Sequence, residues 1–242
     1  MPRSLHSQKI KDEKDAFVDE LYKMLAKKAT LKDGIYDKNA SLIHKYYLVI
    51  YIMNHYNKTT FSTDYYNYML TSLIESESLC LAGFNNASMM LLRSSMEMAI
   101  KFIYFETHPI EWELHQNNKF DLPGLEYRNF LYSVPKFSKL DFENKNSIET
   151  IWSELCKYSH YDLSIIQEIS IITDIKPIFI DVNSQQKYIA KLKSVIRFMV
   201  IILFLVNPEW MQGVEKSYFD YIFEILYKPE EIGKMKIELR IV

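Results

Sequence analysis

The fold is decided by residues 87–106, with the sequence ASMMLLRSSMEMAIKFIYFE, which is apolar on almost every side. Three ionic side chains in its interior, Arg93, Glu97 and Lys101, follow one another at intervals of four residues. This interval places them on one side of an α-helix, while Met, Leu, Ile and Phe side chains cover the remaining surface. An α-helix with this surface is stable when other helices surround it. The segment therefore predicts the central helix of a mainly α multi-helix bundle.

Apolar residues recur at helical spacing on both sides of this segment, which predicts further helices. They cover residues 15–29, 40–56, 63–82, 146–159, 185–206 and 214–227. Gly83 is expected to end one of these helices with a left-handed cap. Asn146 with Glu149 three residues later resembles the capping box that begins another. The chain is thus expected to be helical over most of its length.

Two other parts of the chain carry the β-branched or alternating pattern of strands. Residues 169–172 and 178–182 are rich in isoleucine, and a turn that ends at Pro177 separates them. They predict a small β-hairpin near 169–182. Residues 235–242 alternate apolar with charged side chains, which predicts an edge strand at the C-terminal end.

The segment 107–145 lacks a sustained helical pattern, because three prolines and a glycine interrupt it. It is predicted to be an irregular surface excursion with short helical pieces such as residues 111–117. Residues 1–14 are polar and of mixed charge, and we expect them to be flexible. A length of 242 residues suits one domain, so we predict a single helical domain over residues 1–242.

Charge and cysteine usage restrict the classes of function. The chain has 29 basic and 31 acidic side chains, so no overall positive field attracts nucleic acids, and any contact with RNA must be local. Cys80 and Cys156 lack metal-ligand spacing and are expected to be buried free thiols in a reducing cytoplasm. The longest apolar run, residues 198–206, is about half as long as a membrane span, and the N-terminal residues lack the apolar part of a signal peptide. These features predict a soluble cytoplasmic protein without membrane contact.

The sequence contains no glycine-rich phosphate loop, no His-Glu-x-x-His zinc motif and no Gly-x-Ser-x-Gly elbow. It therefore predicts neither a metal site nor a cofactor. The side chains that remain for chemistry are Arg93, Glu97, Lys101, His160 and the neighbouring Tyr158 and Tyr161. Each has a structural interpretation as well, because Arg93 and Glu97 can satisfy one another's charge. In the same way, His160 can cap the end of its helix.

Two further stretches of sequence carry a family resemblance. Residues 81–97, LAGFNNASMMLLRSSME, place a Gly-aromatic turn before a Leu-Arg-Ser-x-x-Glu helix. Residues 154–160, ELCKYSH, end a later helix with Leu-x-x-Tyr-x-His, and the apolar residues 195–206 follow. With these features the chain resembles, over residues 81–206, the HEPN-related helical proteins of bacterial defence loci. The resemblance implies a helical bundle that commonly forms homodimers and often has metal-independent ribonuclease activity.

The resemblance also implies roles for individual residues. In that chemistry a ribose 2′-hydroxyl attacks its own phosphate, a histidine moves the proton, and a cation stabilises the phosphate oxygens. His160 would be the acid and base, Arg93 or Lys157 would contact the phosphate, and Glu97 would orient Arg93. Active members of the family place an arginine before the histidine with four to six residues between the two, whereas the corresponding residues 153–155 contain none. Catalysis would therefore need the fold, or a dimer partner, to bring a cation to His160.

Three interpretations of the sequence lead to different functions. The first interpretation is an RNA-cleaving effector of an anti-phage defence or toxin–antitoxin system. A second is a catalytically inactive helical module that forms a homodimer or holds a partner protein from the same locus, because 18 Tyr and 14 Phe offer aromatic anchors. A third is a sensor that binds a small ligand in a pocket beside Arg93.

Overall fold

The structure is a computed structural model, and almost all of the residues that it describes are helical. It describes residues 42–47, 63–81, 84–135, 137, 145–159, 182–206, 220, 222–223 and 226–239. The helices are α1 (Thr63–Leu81), α2 (Asn85–Thr107), α3 (Pro109–Gln116), α4 (Gly124–Ser133), α5 (Lys145–Ser159), α6 (Val182–Val206) and α7 (Pro229–Leu239). Residues 42–47 form a further helical piece, and no strand occurs in any of the described ranges. The prediction of a mainly α multi-helix bundle is confirmed.

Helix α2 is the central element and contacts α1, α3, α4, α5 and α6. Its buried side chains are Ser88, Met89, Leu92, Ser95, Met96, Ala99, Ile100, Phe102, Ile103 and Phe105. They lie on several sides of the helix, as the apolar sequence predicts. Burial of one large apolar side chain contributes about 1.5–3 kcal/mol, so the packing around α2 is a main source of the stability of the bundle.

A buried chain of hydrogen bonds also joins α1, α2 and α6. The Ser76 hydroxyl donates to the carbonyl oxygen of Ser88 at 2.8 Å, and it lies 3.0 Å from the hydroxyl oxygen of Tyr188. Burial, together with the nearby charge of Glu77, raises the pKa of Tyr188 far above its ordinary value. Because a buried polar group without a partner is costly, these hydrogen bonds favour one alignment of the three helices.

The long helices agree with the sequence predictions to within a few residues. Helices α1, α2 and α5 coincide closely with the predicted ranges 63–82, 87–106 and 146–159, and α6 begins three residues before its predicted start at Gln185. Although α6 is strongly apolar, none of the helices in the described ranges has the length and hydropathy needed to cross a membrane.

Other predictions concern residues that lie partly or wholly outside the described ranges. The predicted helix 15–29, the flexible segment 1–14, the Gly83 cap and most of the predicted hairpin are outside. Val182, which the hairpin prediction included, begins α6 instead. The described residues of the predicted helices 40–56 and 214–227 are helical, except for Tyr227 at the end of the second one.

The prediction of a C-terminal edge strand at 235–242 is wrong for residues 235–239, because they belong to α7. Residues 240–242 lie outside the described ranges. Met235 is completely buried, whereas Ile237, two positions later, is exposed. A half-buried strand would place these two side chains on the same face. Pro229 begins the helix and two glutamates follow in its first turn, which is the usual composition of a helix N-terminus.

In the part of the segment 107–145 that the structure describes lie the helices α3 and α4, of which only α3 overlaps a predicted helical piece. Pro109 lies in the first turn of α3, and Pro123 is the N-terminal cap of α4. Proline suits these positions because the first turn of a helix leaves its N–H groups unpaired. Trp112 of α3 packs against Phe105 of α2, with 5.4 Å between ring centroids. The prolines therefore mark the starts of helices.

Candidate functional site

The structure describes five of the seven predicted site residues. Arg93, Glu97 and Lys101 lie on α2, Lys157 and Tyr158 lie on α5, and His160 and Tyr161 lie outside the described ranges. The roles of His160 and Tyr161 therefore stay predictions. Described residues of α2, α4 and α5 lie around Arg93.

Arg93 and Glu97 form the ion pair that their spacing predicts. The Arg93 Nη2 and Glu97 Oε2 atoms are 3.7 Å apart, and the two side chains are 25% and 32% exposed. A distance of 3.7 Å exceeds that of an ordinary N–H···O hydrogen bond, about 2.7–3.2 Å. The pair is therefore loose and partly open to solvent, and Arg93 is not locked inside the core.

Arg93 also lies over the indole ring of Trp152, which belongs to α5. Its guanidinium carbon is 5.5 Å from the ring centroid, and the indole itself is buried. A cation at this distance from an aromatic face is attracted by about 0.5–2 kcal/mol. Trp152 faces inward because the apolar residues Ile148, Ile151 and Leu155 share its side of the helix. The contact joins α2 to α5.

A second arginine, Arg128 of α4, lies over the same indole ring. Its guanidinium carbon is 4.7 Å from the ring centroid of Trp152. Because Arg93 lies 5.5 Å from that centroid, the two guanidinium carbons are at most about 10 Å apart. Arg128 Nε is 3.6 Å from Glu149 Oε1, which also accepts a hydrogen bond from the Tyr132 hydroxyl at 3.0 Å. We call Arg93 and Arg128 the arginine pair.

Lys101, the third member of the predicted ionic stripe, has its partner in the loop before α4. Its Nζ atom is 3.3 Å from Asp121 Oδ1 and 5.3 Å from the ring centroid of Tyr127. The Tyr127 hydroxyl donates to the same carboxylate at 2.9 Å. Burial alone would raise the pKa of Asp121, but the hydrogen bond from Tyr127 and the charge of Lys101 lower it on balance. Lys101 thus fastens this loop to α2.

In all three ion pairs the carboxylate is more exposed than the cation. Exposure of the side chains is 32% for Glu97 against 25% for Arg93, 38% for Glu149 against 15% for Arg128, and 60% for Asp121 against 14% for Lys101. The carboxylates are therefore more accessible to solvent than the cations that they pair with. A guanidinium can bind a carboxylate or a phosphate through two parallel hydrogen bonds, so a phosphate could replace the carboxylate partners of the two arginines.

The two remaining described candidates differ in position. Lys157 is exposed in the last turn of α5. It follows Trp152 by five residues, which places it about 140° away around the helix, so the structure does not bring Lys157 to the arginine pair. Tyr158 is partly buried and packs against the core, which suits a structural role.

Sequence reasoning missed Arg128, Glu149 and Trp152 as members of the site. Arg128 lies in the segment that we expected to be irregular, and it is far from Arg93 along the chain. Trp152 and Glu149 are part of a predicted helix, but the apolar pattern assigned Trp152 only to the core. The one available signal was the composition of that helix, in which a tryptophan faces the core among acidic neighbours.

The described residues contain no group of three or more His, Cys, Asp or Glu side chains placed to hold a metal ion. Both cysteines are free, Cys80 being buried and Cys156 partly buried. The distinctive chemistry of this part of the chain is therefore the pair of arginines with exchangeable carboxylates.

In comparisons with protein-family models, with curated proteins and with solved structures, nothing matches this chain.

Proposed function

We propose that this chain is a HEPN-like protein of a bacterial anti-phage defence or toxin–antitoxin system. It acts in the cytoplasm and cleaves RNA without the help of a metal ion. One observation supports the proposal: the fold brings Arg93 and Arg128 to Trp152 on α5, and α5 ends at Ser159, one residue before His160. The sequence of α5 supplies no arginine, and the neighbouring helices supply two.

The proposed reaction needs one proton carrier and one phosphate contact. The 2′-oxygen of a ribose forms a bond to the adjacent phosphorus, and His160 accepts its proton. The bond from phosphorus to the 5′-oxygen breaks, and His160 returns the proton to that oxygen. Arg93 stabilises the charge on the non-bridging oxygens, and Glu97 orients Arg93 before the RNA binds. Lys157 is the weaker candidate for this contact because it faces away from Trp152.

An RNA cleavage assay tests the proposal. Purified protein is incubated with labelled single-stranded RNA in the presence of EDTA, and we expect products with a 2′,3′-cyclic phosphate. His160→Ala should abolish cleavage while the melting temperature changes little. The matched control is His44→Ala, because His44 is an exposed histidine outside the site. RNA cleavage by His160→Ala at the wild-type rate would contradict the proposal.

A second function is favoured by exposed apolar side chains on α3 and α4. Ile110 and Leu114 lie one turn apart on α3, and Leu125 lies at the start of α4; all three are exposed. Exposed apolar groups one helical turn apart, such as Ile110 and Leu114, are typical of protein interfaces. We therefore propose as the alternative a catalytically inactive module that forms a homodimer, or binds a partner protein from the same locus, through this face.

The molecular mass in solution tests the alternative. Light scattering after gel filtration should show a dimer for the wild-type chain and a monomer for Ile110→Glu. The control is Ile237→Glu, since Ile237 is equally exposed but lies on α7. A dimer that survives Ile110→Glu would exclude this face as the interface of a homodimer.

A further inference from the structure

We propose that Arg128 is a second phosphate contact, and that Glu97 and Glu149 occupy the arginine pair until an RNA phosphodiester displaces them. The identity of the ligand rests on the proposed function. Nothing in the sequence resemblance assigns a role to Arg128 or Glu149. The proposal depends on three structural features: the distances within the ion pairs, the separation of the guanidinium groups, and the exposure of the carboxylates.

The ion pairs of the site are looser than a comparable pair elsewhere in the molecule. Arg197 of α6 also lies over an aromatic ring, that of Tyr227, at 5.1 Å. It contacts Glu231 at 3.0 Å, and Glu231 is 12% exposed, whereas Glu97 and Glu149 are 32% and 38% exposed. The distances at Arg93 and Arg128 are 3.7 and 3.6 Å. Arg197 therefore shows how this chain builds a structural pair, and the site differs from it.

The separation of the arginine pair suits a nucleic-acid backbone. Both guanidinium carbons lie near one indole ring, at most about 10 Å apart. At this separation the two groups are close enough to contact one phosphate, or two neighbouring phosphates of a single strand. Both guanidinium groups already pack on the indole, so little side-chain entropy is lost when a phosphate binds.

The carboxylates lie where an incoming phosphate would arrive. Glu97 and Glu149 are each more exposed than their arginines, and the Tyr132 hydroxyl holds Glu149 in place. Two arginines and two glutamates have no net charge, so the free site does not attract anions strongly. Displacement of the carboxylates exposes two positive charges to the phosphate. Removal of one carboxylate should accordingly strengthen RNA binding.

Binding of a strand that cannot be cleaved tests this inference separately from catalysis. The probe is a fluorescein-labelled single-stranded RNA with 2′-O-methyl riboses, which lack the attacking hydroxyl. Fluorescence anisotropy with the full chain gives Kd at several salt concentrations. We expect Arg128→Gln to weaken binding about tenfold or more. It should also lower the slope of log K against log salt by about 0.7, the value for one phosphate contact on a single strand.

Removal of a carboxylate charge should strengthen RNA binding, whereas removal of an arginine charge weakens it. Glu149→Gln should strengthen binding about fivefold, since the attraction between two charges about 4 Å apart near water is about 1 kcal/mol. Arg128→Lys serves as a second variant if Arg128→Gln does not fold; it should keep the salt slope but weaken binding. Arg197→Gln is the matched control, and its Kd and slope should equal those of the wild-type chain.

The outcomes for the inference and for the proposed function are distinct. An unchanged salt slope in Arg128→Gln, or weaker binding by Glu149→Gln, overturns the inference even if wild-type protein cleaves RNA. Failure to bind the probe at all overturns it too. If the probe binds with the expected dependence on Arg128 but no RNA is cleaved, the phosphate site stands and the nuclease function fails.

Discussion

The Glu106 carboxyl provides a quantitative test of the packing in this bundle. Glu106 lies in the last turn of α2, and its Oε1 atom is buried without a hydrogen-bond partner among the described residues. Burial raises the pKa of Glu106 from an ordinary value of 4.5 to about 7. The folded chain therefore holds this proton more tightly than the unfolded chain does. We predict that the wild-type chain loses stability as the pH rises and that Glu106→Gln removes this loss.

The sign and the size of the effect follow from linkage. Below the unfolded pKa the carboxyl is neutral in both states, so its stability contribution is fully present there. The contribution falls as the pH rises toward the folded pKa of about 7 and is lost above it. Each pKa unit corresponds to about 1.4 kcal/mol, which sets an upper bound of about 3 kcal/mol. The partial solvent contact of the side chain reduces the expected loss to about 1–2 kcal/mol.

Urea unfolding of the wild-type chain and of Glu106→Gln at about pH 5 and about pH 8 measures this loss. Glu106→Gln should be the more stable protein at the higher pH, and most of its advantage should disappear at the lower pH. The control is Glu113→Gln, since Glu113 is exposed on α3; it should follow the wild-type dependence. Parallel pH profiles for the wild-type chain and Glu106→Gln would show that the Glu106 carboxyl holds no extra proton in the folded chain.

Three further predictions concern the core and the loop before α4. Leu92→Ala removes a completely buried side chain from the centre of α2 and should cost about 2–5 kcal/mol in chemical unfolding; a loss below about 0.5 kcal/mol would contradict the central position of α2. Ser76→Ala removes the side-chain donor to the carbonyl oxygen of Ser88 and the hydroxyl beside that of Tyr188; it should cost about 1–3 kcal/mol in the same assay, whereas an unchanged midpoint would count against the hydrogen-bond chain. Tyr127→Phe removes a hydrogen bond to Asp121 and should raise the pKa of that carboxyl. In an NMR titration, Asp121 of the variant should therefore become protonated at a higher pH than Asp121 of the wild-type chain.

The parts of the fold that could be predicted are those encoded by local periodicity. Helix α2 carries its apolar pattern over more than five turns, so neighbouring context could not reverse the prediction. The pairing of Arg93 with Glu97 was also predictable, because residues four apart meet on any α-helix. Lys101 shows the limit of this rule, since its partner Asp121 is 20 residues away.

The local sequence patterns of the elements that were not predicted fit two different kinds of secondary structure. A proline inside a polar segment indicates a break, yet the same residue is favoured in the first turn of a helix, as at Pro109. In the C-terminal segment alternation suggested a strand, while the burial of Met235 with the partly buried Ile232 follows a helical face. Tertiary packing decides between such alternatives. The arginine pair is tertiary too, because Arg128 meets Arg93 only through Trp152 on a third helix.

The most direct measurement is a crystal structure of the full chain with the 2′-O-methyl RNA strand bound. We predict one phosphate that contacts the Arg93 guanidinium and lies within hydrogen-bond distance of the His160 ring, about 2.6–3.2 Å, with Arg128 on the same or the next phosphate. Arg93 and His160 on unrelated surfaces, both within one chain and across any dimer axis, would contradict it.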